Sequence, residues 1–231
     1  IISNSKTQLL NNIRIGNQPL SEVSEASFLG VTIDKKFTWI SHINIVCKKI
    51  SKCIGILLKV KRSLPISTMR LLYNTLVLPY LQYCLIVWGS AYITHMQPLF
   101  ILQKKALKIC NNLSPYTPTV TLFNSHKCLS IFQLYFVYAC IFMFKYHNGM
   151  LPCNFNNYFQ RSHCRTRYSH LYKTPKFVTK RTQRCIVYFS VKFWNSLTPE
   201  IINSTSLPMF KSKVKKYISS HPENYALFKI D

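Results

Sequence analysis

The near absence of acidic residues constrains any fold of this chain more than any other feature. Its 231 residues include 30 Lys and Arg but six Asp and Glu, so the formal net charge is +24. No acid occurs between Asp34 and Glu200. Surfaces of soluble proteins normally mix both signs of charge. A helix in this interval, by contrast, carries lysines and no carboxylates of its own. A surface of this kind is typical of a protein that binds nucleic acid.

The same shortage argues against metal-dependent catalysis. Polymerases and most nucleases hold Mg²⁺ with clustered carboxylates. The acids of this chain are Glu22, Glu25, Asp34, Glu200, Glu223 and Asp231. Glu22 and Glu25 form the one pair that is close in sequence. We therefore expect no metal, no cofactor and no small-molecule substrate, and a nucleic-acid partner rather than an acidic protein or an anionic membrane.

Nine cysteines at irregular spacing, with no Cys-x-x-Cys pair, predict reduced thiols. No signal peptide is evident, so we expect the nucleus or the cytoplasm as the compartment. The nearest approach to a metal cluster is Cys153, His163, Cys164, His170 and Cys185, whose spacing matches no standard zinc pattern. The histidines of this group suggest one alternative, a nuclease that cleaves RNA by acid–base chemistry without metal. Ordinary surface or loop histidines are the simpler explanation.

Hydrophobic periodicity predicts a mainly α fold with a small β hairpin or meander at the N-terminus. The predicted β region covers 9–34, with a turn at Gly16 and Asn17, an apolar strand at 28–33 and an end near Asp34. Helices are predicted at 41–62, 68–87, 102–112, 131–146 and 206–219, with a further ordered segment at 187–197. We expect Ser67 to cap the second helix and Pro79 to kink or split it.

Two uncharged stretches raise the alternative of a multi-helix membrane protein. They lie between Arg70 and Lys104 and between Lys127 and Lys145. A membrane span needs about 20 mainly apolar residues. Polar residues and Pro79 interrupt the first stretch, and the second is short for a span. Buried helices of a bundle are the better explanation, and we expect no membrane partner.

Two groups of basic residues are candidates for phosphate contacts. Lys48, Lys52 and Lys59 lie near one another on the first predicted helix, and Lys104 and Lys105 lie on a later one. An ordinary solvated helix face is the alternative for each group. The absence of acids on the first helix favours phosphate contacts.

A third basic group carries aromatic residues between its charges. The cations proposed to contact nucleic acid are Arg161, Arg165, Arg167, Lys180, Arg181 and Arg184, and Lys173 and Lys176 lie between them. The interleaved rings are Tyr158, Phe159, Tyr168, Tyr172 and Phe177. Cations that meet phosphates and rings that stack on bases suit a single strand or a bent duplex. A loop whose aromatic side chains pack on the core remains open as the alternative.

Five segments in order resemble the landmarks of non-LTR (LINE-type) retrotransposon reverse transcriptases, most closely those of jockey-like elements. They are FLGVTID at 28–34 with Trp39 and His42, LY at 72–73 with LPYLQY at 78–83 and VWG at 87–89, LQKKALK at 102–108, FWNSLTPEI at 193–201, and FKSKVKKY at 210–217. Each motif alone is weakly specific. The order and spacing of all five make the resemblance specific.

The resemblance implies the C-terminal portion of an RNA-directed DNA polymerase. Residues 1–38 would be the end of the palm, 39–150 a thumb-like helical bundle, and 151–231 a less regular basic region with a final amphipathic helix. The turn at Phe28, Leu29 and Gly30 would correspond to the primer grip. Implied partners are an RNA–DNA hybrid, the element's RNA or target DNA, and the rest of the polyprotein.

The resemblance also implies what the chain lacks. The palm tetrad that ligates Mg²⁺ in the family, Tyr/Phe-Ala-Asp-Asp, does not occur in this sequence. We therefore expect the Mg²⁺ site to belong to the palm of the parent enzyme, and this chain alone to be inactive as a polymerase. A decayed copy without function is a further alternative.

Overall fold

The computed structural model describes residues 14–19, 21–118, 122–123, 128–162, 171–179 and 183–220. Over these residues the protein is mainly helical, with two small antiparallel hairpins at the N-terminus, which confirms the predicted fold class. The strands are β1 (Arg14–Ile15), β2 (Gln18–Pro19), β3 (Glu25–Phe28) and β4 (Val31–Asp34). Strand β1 pairs with β2, and β3 pairs with β4.

The helical elements follow the second hairpin. They are α1 (Ile40–Val60), α2 (Ile66–Leu72), a π-helix (Tyr73–Val77), α3 (Leu78–Gln82), α4 (Leu85–Trp88), α5 (Ile93–Cys110), α6 (Ile131–His147), a 3₁₀ turn (Cys153–Phe155), α7 (Ile186–Asn195), α8 (Pro199–Ile202) and α9 (Leu207–Ser220). The helices predicted at 41–62, 131–146 and 206–219, and the ordered segment at 187–197, are confirmed as α1, α6, α9 and α7.

The second hairpin contains a two-residue turn. Phe28 faces Val31 across the two strands, so Leu29 and Gly30 form the loop. Their φ angles are 47° and 75°, and two positive φ values define a type I′ turn, whose twist matches that of paired strands. The prediction of one continuous strand at 28–33 was wrong because the apolar run conceals this turn. The prediction that the β region ends near Asp34 is confirmed.

The second predicted helix is divided differently from the expectation. Pro65, not Ser67, precedes its first turn in the N-cap position. Pro79 lies in the first turn of α3 directly after the π-helix, and the helical backbone runs through it without a break. The chain breaks after α3 instead, at Cys84, whose φ is 50°. The π-helix just before Pro79 supplies the local change in winding that the proline requires.

Helix α5 begins earlier than the predicted start at 102 and contains Pro98 in its interior. Proline cannot donate to the carbonyl four residues before it, here that of Thr94. Both Thr94 and Pro98 are exposed, so water can satisfy that carbonyl. The predicted helix began too late because a proline normally marks the limit of a helix.

Helix α6 lies in one continuous hydrophobic core. Ser130 and Gln133 form a reciprocal capping box at its start, which lowers the cost of burying that terminus. Its rings pack against those of α7 and α9: the centroids of Phe136 and Phe193 are 4.7 Å apart, and those of Phe144 and Phe210 are 4.4 Å apart. Helices on both sides of residue 150 therefore share this core. None of the helices in the described ranges is long and apolar enough to cross a membrane.

The amide of Gln103 ties three separate segments together inside this core. Gln103 is fully buried. Its Nε2 donates to the hydroxyl of Tyr73 at 3.1 Å and to the carbonyl of Leu129 at 2.9 Å, and its Oε1 accepts from the backbone N–H of Ile131 at 2.9 Å. One side chain therefore satisfies polar groups of the π-helix and of the entry to α6.

Two further residues of the motifs have packing roles. A Cβ on Gly89 would lie 2.4 Å from the ring of Tyr135, so a larger residue cannot fit there without movement. The amide of Asn195 donates to the carbonyl of Tyr172 at 2.8 Å and accepts from its N–H at 3.1 Å. Asn195 thereby pairs with a backbone segment as a neighbouring strand would.

Replacing Gln103 by Met should lower the free energy of unfolding by about 2–4 kcal/mol, because the buried partners lose their hydrogen bonds while the side-chain volume is nearly unchanged. Urea unfolding followed by circular dichroism measures the change. Gln97→Met, at an exposed position of the same helix, is the matched control and should change stability by less than about 0.5 kcal/mol. Equal effects of the two substitutions would contradict the role assigned to Gln103.

Candidate nucleic-acid interface

The tip of the β3–β4 hairpin presents two large apolar side chains to solvent. Phe28 is 66% exposed and Leu29 is 72% exposed. Gly30 follows with a φ of 75°, and a Cβ there would lie 3.6 Å from the Tyr83 ring, an ordinary contact distance. The conformation of the turn, rather than lack of space, therefore requires this glycine.

Helix α3 and the residue after it hold this tip against α1. The Tyr83 hydroxyl donates to the carbonyl of Leu29 at 2.6 Å. Three residues earlier, the ring of Tyr80 lies 5.4 Å from the Lys49 ammonium on α1. We call this group the tip patch; its members are Phe28, Leu29, Lys49, Tyr80 and Tyr83. Each of them is exposed, so the patch offers rings and a cation to a partner.

Leu29 occupies a strained backbone position without burying its side chain. A non-glycine residue in the left-handed region costs roughly 1–2 kcal/mol, and Asn is the usual choice at this position of a type I′ turn. Strained positions that bring no packing gain are often found at functional sites.

The three lysines predicted on α1 form one exposed face. Lys48, Lys52 and Lys59 all lie on its solvent side, spread over about 16 Å of helix axis. That length corresponds to roughly five steps of a nucleic-acid duplex. In the part of the chain that the structure describes, the ion pair found is the one between Lys35 and Glu22. We call these three lysines the α1 lysine face; none of them forms an ion pair with a carboxylate of the described residues.

The remaining predicted cations are placed less uniformly. Lys105 is exposed on α5, whereas Lys104 is half-buried with its ammonium 4.7 Å from the centroid of the Phe100 ring. Arg161 is exposed and its backbone pairs with that of Tyr172. The other members of the basic segment, Arg165, Arg167, Lys180 and Arg181, lie outside the described residues.

Arg184 lies away from the tip patch. Its guanidinium carbon is 4.1 Å from the centroid of the Tyr92 ring, and its Nη1 is 3.4 Å from the Ala91 carbonyl oxygen. Burial lowers the pKa of the guanidinium, and Tyr92 opposes that shift, so the group stays charged at neutral pH. Arg184 belongs to a pocket beside the hairpin base rather than to the α1 lysine face.

Two of the aromatic residues proposed to stack on bases pack in the core instead. Phe159 and Tyr172 are 6% and 3% exposed, and both rings meet the ring of Tyr146 edge to face. The Tyr172 hydroxyl also lies 3.0 Å from Nδ1 of His147. The packing alternative therefore holds for these two residues, while Tyr158 is exposed and Tyr168 lies outside the described residues.

The acids near the hairpin accept hydrogen bonds from neighbouring residues. Asp34 accepts hydrogen bonds from the N–H of Thr38 at 2.9 Å and of Trp39 at 2.7 Å. Burial alone would raise the pKa of Asp34, but these bonds outweigh it and lower the pKa. Glu25 lies opposite Asp34 across the hairpin and accepts from the Ser41 hydroxyl. Sequence inspection missed this pairing of acids because it depends on strand register.

No group of three potential metal ligands occurs among the residues that the structure describes. Three of the five residues in the proposed zinc cluster, His163, Cys164 and His170, lie outside those residues. His42, another residue of the motifs, is buried and accepts from the N–H of Thr32 at 3.3 Å. Burial, with a smaller effect of Lys49, lowers the pKa of His42, so its neutral ring links β4 to α1.

Sequence inspection did not find the tip patch as a unit. Tyr80 and Tyr83 are three residues apart and both lie in a recognised motif, but nothing local shows that they meet Leu29 and Lys49. Comparisons with protein-family models, with curated proteins and with solved structures find no match.

Leu29→Asn should raise the free energy of unfolding by about 0.5–1 kcal/mol, because Asn tolerates the left-handed conformation better than Leu. The same change should weaken binding of an RNA–DNA hybrid about threefold, because an apolar contact at the tip is lost. Urea unfolding and fluorescence anisotropy measure the two effects. Ser27→Asn on the adjoining strand is the control and should change neither. A stability gain with unchanged affinity would exclude the tip from the interface.

Proposed function

We propose that this chain is a nucleic-acid-binding module that holds an RNA–DNA hybrid, and that it corresponds to the C-terminal portion of a non-LTR retrotransposon reverse transcriptase. The observation that carries the proposal is the exposed α1 lysine face, which has no ion-paired carboxylate among the described residues, on the same helix that supplies Lys49 to the tip patch. In the parent enzyme the hairpin tip would position the primer end, and α1 with its neighbours would act as a thumb.

The physical basis of binding is release of counterions from the phosphate backbone. Each lysine that neutralises a phosphate releases condensed cations and so makes affinity depend on salt. Proteins recognise an A-form duplex through its shape and backbone because its deep major groove hides the base edges. A linear row of lysines therefore suits binding with little sequence preference, and the exposed rings of the tip patch suit contact with an unstacked end.

The proposal assigns no DNA synthesis to this chain by itself. Asp34 and Glu25 serve the base of the hairpin, where they accept hydrogen bonds from Thr38 and Ser41. The metal would belong to a palm elsewhere in the polyprotein, and the site of action would be the nucleus or the cytoplasm. The alternative of a metal-independent nuclease depends on His163 and His170, outside the described residues, so no specific observation favours it.

Replacing Lys48, Lys52 and Lys59 together by Gln should reduce hybrid affinity about tenfold to hundredfold at 0.1 M salt, and should lower the slope of log K against log salt by about two to three. Anisotropy titrations of a labelled hybrid at several salt concentrations measure both. The matched control replaces Lys211, Lys215 and Lys216 by Gln, exposed residues of α9, with the same loss of charge.

The control separates a defined interface from general basicity. A variant of α9 that loses as much affinity as the α1 variant would show that net charge alone drives binding. Affinity of the unmodified chain that does not vary with salt would contradict the proposal altogether.

The isolated chain should not extend a primer on an RNA template with Mg²⁺ and deoxynucleotides, because it has no carboxylate cluster to hold the metal. Gel analysis of a labelled primer measures extension, and a complete reverse transcriptase serves as the positive control. Extension by a homogeneous preparation, abolished by EDTA, would contradict this prediction.

A further inference from the structure

An open pocket of about 660 Å³ lies at the base of the second hairpin. It is lined by the segment after β4, by the end of α4 with the residues that follow it, and by the residues that lead into α7. This volume falls within the range of pockets that bind small ligands. The pocket begins where β4 ends, so about 13 Å of strand separates it from the hairpin tip.

Three aromatic side chains form much of its wall. Phe37 is 50% exposed, Tyr92 is 36% exposed, and Trp39 is half-buried with its ring centroid 6.4 Å from that of Phe37. Val87 adds an exposed apolar side chain to the lining. Flat apolar walls with accessible rings suit a planar aromatic ligand.

The charges around the pocket are positive. Arg184 lines the pocket; its Nε is buried and its guanidinium lies over the Tyr92 ring, so a ligand would meet its Nη groups. Lys36 lies on another side and is exposed. None of the described residues that line the pocket is acidic, and the nearby Asp34 carboxylate is engaged by the N–H groups of Thr38 and Trp39. A guanidinium presents several N–H donors in a fixed fork that matches the oxygens of a phosphate.

The backbone that carries two of the rings is strained and held in place. Phe37 and Trp39 have φ angles of 51° and 64°, values at which bulky side chains are rare. The Asp34 carboxylate fixes this segment through the N–H groups of Thr38 and Trp39. Strain that a dedicated side chain maintains points to a function for the geometry.

We propose that this pocket takes one unstacked nucleotide, with its base against Phe37 and Trp39 and its phosphate at Lys36 and at the guanidinium of Arg184, which lies on the Tyr92 ring. The rings provide stacking surfaces that every base can use, and the two cations complement the phosphate. The inference deepens the proposed function, on which it rests, because a bound strand that passes the hairpin tip would supply the nucleotide.

The first test uses adenosine 5′-monophosphate and tryptophan fluorescence. The chain has three Trp; Trp88 and Trp194 are fully buried, so quenching by the nucleotide reports on Trp39. Arg184→Met should lower the affinity for the nucleotide about tenfold, because a charged contact with the phosphate is lost. Arg14→Met, which changes an exposed arginine of β1, should leave the affinity unchanged. Val87→Phe, which narrows the pocket from an exposed position, should abolish it.

Each outcome decides the inference. Quenching that depends on Arg184 and Val87 supports the pocket. Equal titrations of the Arg184 and Arg14 variants, or quenching that persists in Trp39→Phe, would overturn it. Circular dichroism of each variant shows that a loss of signal is not a loss of fold.

A second measurement separates this inference from the proposed function. An RNA–DNA hybrid with a single-stranded overhang should bind about tenfold tighter than the blunt hybrid, and Val87→Phe should remove that gain. Blunt and overhanging hybrids that bind equally, with the usual salt dependence, would overturn the pocket and leave the proposed function in place. Nucleotide quenching without binding of the blunt hybrid would support the pocket and overturn the proposed function.

Discussion

The buried amide of Gln103 is the interaction on which the helical packing depends. A chain with so few acids cannot join its helices by internal ion pairs, so neutral hydrogen bonds must satisfy the polar groups that packing buries. Gln103 does this for the π-helix, for the loop before α6 and for the first turn of α6. The π-helix in turn leads directly into α3, which carries Tyr80. The exposed aromatic surface is therefore aligned by a polar contact in the interior.

The residues that carry the resemblance to reverse transcriptases serve mainly the fold. Gly89 lies where a methyl group would collide with Tyr135, and Asn195 pairs with the backbone of Tyr172. Gln103 and His42 are buried hydrogen-bonding residues. The motifs thus describe a scaffold, and such a scaffold can persist without the activity of a parent enzyme. Within these motifs, the turn at Phe28 and Leu29 faces solvent and belongs to the proposed interface.

The elements predicted correctly are those with uninterrupted periodicity. Apolar spacing in α1 and α9 follows the helical repeat, and α6 is an apolar run bounded by Ser130 and by Asn148 with Gly149, so the limits of all three agree with the structure to within two residues. The prediction failed where proline chemistry decides, as at Pro98 inside α5, and where an apolar run hides a turn, as at Leu29. The exposure of the α1 lysines was predictable because the apolar positions of the same helix define its buried side and leave the lysines on the other. The tip patch was not, because the contact between Tyr83 and Leu29 joins residues that are distant in sequence.

Tyr83 connects the hairpin to the core by both of its polar ends. Its hydroxyl holds the Leu29 carbonyl, and its own carbonyl accepts from Nε1 of the fully buried Trp88 at 2.9 Å. Tyr83 therefore links the turn to Trp88, which is packed so tightly that it cannot move without displacing its neighbours. The hairpin tip is consequently attached to the core. A ligand that displaced the tip would also have to disturb the packing of the helical bundle around Trp88.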